Sequence, residues 1–395
     1  MHLVFVSSLL PVEKPVSGFD IANRVILDAV RAQGVTVSLL GYQAPDVQVA
    51  SAERTESLGI QEITTARAST GDKIRWLAGA LLNGTTVSSA KMLVCGRARL
   101  RLALQSLAPF DGLILNSVQL PGAFLPVFAE YDSIFVAHNV EAMTAAENAR
   151  HAPGVLERLL FRREARLIEV LEQRLCLGAQ FVWTLSEEDR QALRVADDNK
   201  SASLPMVTRT LPPAQPDGGR QADFDLGMIG TWSWKPNRVG LDWFLNDVVP
   251  LLPDTMTIAI AGNLPNPPDG PSHPGIRFVG RVPDARAFLA GCAVVPLAST
   301  SGTGVQLKTI ETFEMGLPSV ATPSALRGVK AVPSNCVIAK EAGQFAAALV
   351  RAVRDARKHP GTVLDGRKFH ASQTAGLSEA IERGLVRLGK GRATG

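Results

Sequence analysis

At 395 residues the chain is too long for one ordinary hydrophobic core, and at about 150 residues per domain two domains are the expectation. Hydrophobic residues make up 46% and charged residues 20%, the usage of folded globular chains, which excludes a disordered or a fibrous protein. The formal charge of +4 is concentrated at the end, where ten Lys/Arg stand against four Asp/Glu from Arg351 onward at helical spacing, so no nucleic-acid partner is expected.

In chain order, short apolar runs at 2–7, 35–40, 112–115, 134–137 and 181–185 read as strands. Amphipathic stretches at 21–32, 91–104 and 154–177 read as helices between them, the pattern of a parallel sheet covered on both faces. Ser186, followed by Glu187, Glu188 and Asp189, reads as a helix N-cap with acidic first-turn residues. The segment 211–221 is full of Pro, Gly and Asp with little to bury, and the domain boundary is expected there. The alternation then restarts, with strands expected at 226–230, 257–261, 276–279, 293–297 and 319–322 and helices at 237–249 and 305–315. Two such parallel α/β units are expected to face each other across a cleft at the carboxyl ends of their strands, where open α/β sheets bind ligands.

The apolar start is closed by Pro11 and Glu13 without a basic leader or a small-residue cleavage site, and no charge-free apolar run of about 18 residues occurs, so a cytoplasmic protein is expected. Cys95, Cys176, Cys292 and Cys336 are widely spaced without a Cys-x-x-Cys pair, so neither a disulfide framework nor a zinc site is expected. Asp223 and Asp225 form an Asp-x-Asp, but they precede a strand, whereas a metal–diphosphate site needs carboxylates at the strand's far end. No metal and no cofactor is expected.

The stretch 299–318 is the most informative. Small residues follow a strand and open a helix, with Gly302 and Gly304 letting backbone approach an anion that the first-turn amides and the helix dipole would stabilise. Lys308 lies one turn in, where it reaches a phosphate, and Glu311 follows as a bidentate acceptor for ribose hydroxyls. Neither a dinucleotide fingerprint nor a Walker pattern fits, because 307 is Leu and no Gly-x-x-x-x-Gly-Lys-Ser/Thr exists. The alternative is a plain Gly-containing turn with Lys308 and Glu311 as a solvated face.

Here the sequence resembles the group-1 transferases of glycosyltransferase family 4, which have the GT-B fold. The resemblance rests on Gly302-x-Gly-x-x-Leu-Lys-x-x-Glu311 with Gly316-x-Pro318, on Ile229-Gly-Thr-Trp-Ser-Trp-Lys-Pro-Asn237, on Phe278-Val-Gly-Arg-Val282, and on Ala137-His-Asn-Val-Glu141 with Thr184-Leu-Ser-Glu-Glu-Asp189. It implies a retaining transferase moving a sugar from a nucleotide diphosphate sugar to a hydroxyl acceptor, lipid-linked acceptors included, in polysaccharide or glycoconjugate biosynthesis. It implies that Glu311 holds the ribose, that Gly302, Thr303, Gly304 and Lys308 hold the diphosphate, that Thr231 and the segment ending at Val282 lie by the donor, and that Gly18 belongs to a glycine loop near donor phosphate and acceptor. Thr303 stands where many members carry a second Glu, and Thr231 and Asn237 stand near the places of an Arg and a Lys.

His138 ends the strand at 134–137 and is the candidate catalytic residue: an imidazole there can bond a sugar hydroxyl and share in the positive potential around the leaving diphosphate. The competing reading makes it a cap for the helix starting near Glu141. Asp20 and Asn23 read as first-turn stabilisers. Trp232 and Trp234 are candidates for stacking on sugar or base, whereas Trp243 and Phe244 read as core. The stretch 72–83 is amphipathic enough to touch a membrane surface, with burial on the first domain the favoured use.

The expected domains are therefore 1–207 on the acceptor side, a linker at 208–220, a nucleotide-sugar domain at 221–370, and a basic tail at 371–395 that packs back on the first domain or touches anionic lipid at the membrane's inner face. A sugar-nucleotide epimerase or hydrolase on the same fold, and a non-catalytic sugar-nucleotide-binding subunit, are the alternatives.

Overall fold

The structure, a computed structural model, describes residues 1–15, 17–63, 68–209, 222–264 and 273–393. It separates into two units, Met1–Leu204 with Gly376–Gly395, and Pro205–Ala375. The expected linker lies outside the described residues except for Thr208 and Arg209.

The first unit runs β1 (His2–Leu9), α1 (Gly18–Ala32), β2 (Thr36–Gln43), β3 (Thr55–Ile60), α2 (Thr70–Leu82), α3 (Val87–Met92), α4 (Gly96–Leu107), β4 (Gly112–Asn116), α5 (Gln119–Ala123), α6 (Leu125–Phe128), β5 (Ser133–Ala137), α7 (Glu141–Arg150), α8 (Val155–Gly178), β6 (Phe181–Thr184), α9 (Glu187–Ala192) and β7 (Ser201–Ser203). Its seven strands pair in the order β3-β2-β1-β4-β5-β6-β7, all parallel. Strands β1, β4 and β5 sit in the middle and are apolar on both faces, because helices cover both.

The second unit runs β8 (Phe224–Ile229), α10 (Lys235–Trp243), β9 (Ile258–Ala261), β10 (Ile276–Gly280), α11 (Ala285–Ala290), β11 (Cys292–Leu297), α12 (Leu307–Glu314), β12 (Ser319–Ala321), β13 (Cys336–Ile338) and α13 (Ala342–Lys358), after which α14 (Gly366–Ala393) closes the chain. The order β10-β9-β8-β11-β12-β13 is again all parallel. Counted from its own first strand this is 3-2-1-4-5-6, the doubly wound order that reverses between β8 and β11 and puts its ligand site at their carboxyl ends.

From Gly376 onward α14 belongs to the first unit, burying Leu377, Ala380, Ile381, Leu385 and Leu388 at three- and four-residue spacing. The fully buried Trp183 donates its indole N–H to Ala380 O at 3.0 Å. A side chain at Gly384 would meet that indole at 2.6 Å, so this glycine is what lets the helix lie against the strand.

Several elements differ from expectation. The helix expected at 91–104 is interrupted by a 3-10 turn at Leu93–Cys95 and by Gly96 at φ +68, a conformation that ends one helical run before the next begins. The helix expected at 237–249 stops at Trp243 and continues as a π-turn (Phe244–Val248) and a 3-10 turn (Val249–Leu251) that contains Pro250, whose missing N–H cannot continue the ladder. In α2 only Trp76 and Ala80 are buried, while Ile74, Leu81 and Leu82 are exposed, so burial accounts for one stripe of the 72–83 stretch and not for the helix as a whole. Helix α8 likewise exposes Val155, Leu156, Leu159 and Leu177.

Candidate functional site

Strand β11 ends at Leu297 in the middle of the second sheet, and the chain passes through Ser299, Ser301 and Gly302 before α12 starts at Leu307 with Gln306 as its N-cap. Gln306 makes no side-chain cap bond, although its carbonyl accepts from the first-turn Thr309 N at 2.9 Å. Gly302 takes φ +97, a conformation that favours glycine, and a Cβ there would sit 3.1 Å from Pro236 at the start of α10, a tight contact. A Cβ at Gly304 would meet nothing within 4 Å: the backbone there faces open space at the helix mouth. Thr303 and Gln306 are buried on either side.

One turn into α12, Lys308 carries its ammonium over the Trp232 ring, 5.8 Å from the centroid. Burial pushes the lysine down to about 8, so the charge is still present at neutral pH but is held away from water, where it attracts an anion more strongly. Trp232 itself is core: it is buried and donates its indole N–H to Ala261 O at 2.8 Å, which removes it as a stacking platform. Trp234 stays exposed as the N-cap of α10. Trp243 packs edge-on against Phe345 with centroids 5.3 Å apart, and Phe244 is fully buried. Thr231 is exposed, and its carbonyl accepts from Trp234 N at 3.1 Å and Asn237 Nδ2 at 3.2 Å, so its backbone closes the turn after β8.

Glu311 lies one turn beyond Lys308. Burial raises its carboxyl, and the facing Arg286 pulls it back down. Arg286 Nη1 stands 3.5 Å from Glu311 Oε1 and 4.0 Å from Glu314 Oε2, with no hydrogen bond of its own, so the Arg286–Glu311 pair is electrostatic rather than locked. Glu314, by contrast, is fully committed: it accepts from Thr208 N at 2.9 Å, from the Thr208 hydroxyl, and from His370 Nδ1 at 3.0 Å. Two carboxylates three residues apart thus have different fates, and the outer one keeps freedom to meet a ligand.

Arg286 escaped the sequence reading. It sits two residues after Asp284, whose carboxylate caps α11 by accepting from Arg286 N and Ala287 N, and Val282 lies just before that cap. Gly262 was also missed; at φ +116 its N–H donates to Gly280 O at 2.7 Å and a Cβ would clash with Gly230 O at 1.9 Å, so the ends of β8, β9 and β10 meet as bare backbone. The segments after β8, β10 and β11 therefore converge on the mouth of α12 and bring Thr231, Gly302, Thr303, Gly304, Lys308 and Glu311 to one end of one sheet. Asp225 is elsewhere, at the opposite end of β8, bound bidentately by Arg357 at 2.9 and 2.7 Å and bonded to Thr257. Among the described residues no three His, Cys, Asp or Glu cluster as a metal site.

In the first unit Gly18 is the first residue of α1, inside the helix rather than in a loop. Ser17 and Asp20 form a reciprocal capping box around it, and that Ser-x-x-Asp signal was available in the sequence. His138 follows β5 and does not cap α7, whose N-cap is Val140. Its Nε2 instead lies 2.7 Å from Asn116 Oδ1 at the end of β4, and its ring leans on Phe19 with centroids 4.8 Å apart. Asn23, expected as a first-turn stabiliser, is instead buried and accepts from Asn116 Nδ2 at 3.0 Å.

Burial pushes His138 down to about 4. The ring is therefore neutral at pH 7 and serves as the hydrogen-bonding group expected from the sequence, without the share in positive potential also expected of it. The unfolded chain takes up this proton near the ordinary value of about 6.5 and the folded one only near 4, so stability falls on acidification between those values, by on the order of 3 kcal/mol. Urea unfolding at pH 7 and pH 4.5 is expected to show that loss in the wild type and a smaller one in His138→Gln. An equal acid loss in both contradicts it.

Residues 223–355, the region built around this mouth, match the family model of group 1 glycosyl transferases. The two-unit, all-parallel α/β architecture is that of the GT-B fold, shared with solved structures at low identity. Anabaena HepE in complex with UDP and glucose superposes with a TM-score of 0.59 at 14% identity, covering 97% of this chain and 99% of that one. WaaG, a glycosyltransferase involved in lipopolysaccharide biosynthesis, gives 0.56 at 13%, covering 97% and 94%. The UDP-forming α,α-trehalose-phosphate synthase of Burkholderia xenovorans gives 0.56 at 11%, covering 98% and 99%. None of the curated proteins compared with it matches the chain.

Proposed function

We propose that the protein is a retaining glycosyltransferase that takes a sugar from a nucleoside diphosphate sugar to a hydroxyl acceptor, in the assembly of a polysaccharide or glycoconjugate. The observation that carries this reading is the order of groups along one segment after β11: open backbone at Gly304, a helix start without a side-chain cap, the ammonium of Lys308, then the incompletely paired carboxylate of Glu311. Amides and ammonium suit a diphosphate, and a carboxylate one turn further suits vicinal ribose hydroxyls. The match of this region to group 1 transferases and the UDP found with HepE favour a uridine diphosphate donor.

Val282 and Thr231 flank the nucleoside in this reading, and His138 accepts a hydrogen bond from a sugar hydroxyl. Leaving-group charge is met by the helix mouth and Lys308, without a metal ion. Same-face substitution, with the departing phosphate oxygen taking the acceptor proton and no covalent enzyme intermediate, is the proposed course. Product analysis with a UDP-sugar and a hydroxyl acceptor tests it: NMR should show the donor's anomeric configuration preserved in the product, and inversion, or hydrolysis regardless of acceptor, overturns it.

Among the described residues no helix is long and apolar enough to cross a membrane. Peripheral contact of the first unit with anionic lipid, and hence a lipid-linked acceptor, is favoured by the exposed face of α8, where Leu159, Val170 and Leu177 alternate with the exposed Arg162 and Arg166. Co-sedimentation with anionic vesicles is expected to fall several-fold in an Arg162→Glu/Arg166→Glu variant, and equal sedimentation removes that placement.

A further inference from the structure

At the carboxyl ends of β1, β4 and β5 a buried polar chain links four elements. Asn116, fully buried at the end of β4, spends both amide hydrogens on neighbours: Nδ2 donates to Ser7 Oγ at 3.1 Å on β1 and to Asn23 Oδ1 at 3.0 Å on α1. What remains is Oδ1, an acceptor, and it faces His138 Nε2 at 2.7 Å. With Oδ1 as the facing atom, this contact is a hydrogen bond only when the proton sits on Nε2. We infer that Asn116 is a positioning residue that fixes His138 as its Nε2–H tautomer, leaving Nδ1 as a lone-pair acceptor for a hydroxyl of a sugar or other polyol. This rests on the reading of His138 as a group that meets substrate, although the tautomer itself does not.

Two further observations agree. Ser117, directly after Asn116, takes φ +67, a left-handed conformation costly for a non-glycine residue, and its N–H is held by Val136 O at 3.0 Å on β5. Strain of this kind persists where the surroundings over-determine it, and here it ends β4 at the residue that holds the imidazole. Second, among the described residues the groups around the ring are Phe19, Asn116 and, behind Asn116, Ser7 and Asn23, all uncharged, so Asn116 sets the ring's protonation. Asn116 itself is out of solvent, whereas His138 keeps part of its surface exposed, as a ring that shows its second nitrogen to a ligand must.

Long-range proton–nitrogen NMR on the full ¹⁵N-labelled chain, with His138 assigned by comparison with His138→Gln, reads the tautomer directly. The wild type is expected to show Nε2 as the protonated nitrogen and Nδ1 as the bare one from pH 8 down to pH 5. Asn116→Asp keeps the acceptor but adds a charge and should raise the His138 titration by about 1–3 pH units. Asn116→Leu should let both tautomers appear, with thermal unfolding reporting that each variant folds. A wild-type spectrum with the proton on Nδ1, or an Asn116→Asp titration unchanged from wild type, overturns the inference. Absence of any sugar transfer by wild type and variants alike would instead overturn the proposed function and leave the tautomer result standing.

Discussion

Replacing Lys308 by Ala is expected to weaken binding of a nucleoside diphosphate about 100-fold, roughly 2.7 kcal/mol, the order of a partly buried charge-assisted contact. The protein itself should not become less stable. The folded-state pKa of Lys308 lies near 8, below its ordinary value, so burial of this charge costs more than its contact with the Trp232 ring returns. A bound diphosphate restores the charge. Wild-type affinity should therefore be flat at neutral pH and decline as pH rises past about 8, and the decline should be absent in Lys308→Ala. Calorimetry across pH 7 to 9.5 checks both, and a variant that binds as tightly as wild type contradicts the placement of the phosphate.

Glu311→Ala should also lose about 100-fold, but through the ribose, since each hydrogen bond from a hydroxyl to a carboxylate contributes about 1.5–3 kcal/mol. The diagnostic is discrimination: wild type should prefer UDP to its 2′,3′-dideoxy analogue by about that factor, and the variant should bind the two alike. Arg286 refines the expectation. Its guanidinium, 3.5 Å from Glu311 Oε1, opposes the burial that would otherwise keep the carboxyl protonated. Arg286→Gln should therefore retain the preference at high pH and lose it as pH falls, because the carboxyl then protonates at a higher pH. The groups that set this are Arg286 and Arg209 on one side and Glu314 and Asp284 on the other. Equal preference in wild type and Glu311→Ala would remove the ribose from this position.

What the sequence revealed depended on how local the signal was. The β11–α12 segment was legible because small residues, Lys308 and Glu311 lie on one continuous stretch whose chemistry is fixed by helical spacing. The inner strands were legible because burial on both faces makes them continuous apolar runs. Strand β3 carries Thr, Glu and Ser with only Leu58 buried, and β7 is Ser-Ala-Ser, so neither has an apolar period to detect. Their place follows from pairing with β2 and β6. Gly18 lies inside the helix because the Ser17/Asp20 box starts α1 at it, a local signal that outweighs the glycine's turn preference.

The partners of the key side chains were not legible at all. Arg286 reaches Glu311 from a different βα segment, and Asn116 reaches His138 across a parallel pair 22 residues apart in sequence. Such contacts are set by strand order, which single-sequence periodicity does not encode. The same holds for Trp232, whose position beside a candidate site suggested stacking while the fold uses it as core.

The central claim is that the α12 mouth recognises a diphosphate. Its most direct test is calorimetric titration of the wild-type chain with uridine, UMP and UDP under one set of conditions. Affinity is predicted to rise by a factor of ten or more with each added phosphate, the largest step coming at the diphosphate. Equal affinities for uridine and UDP, or no heat with any of the three, would contradict it.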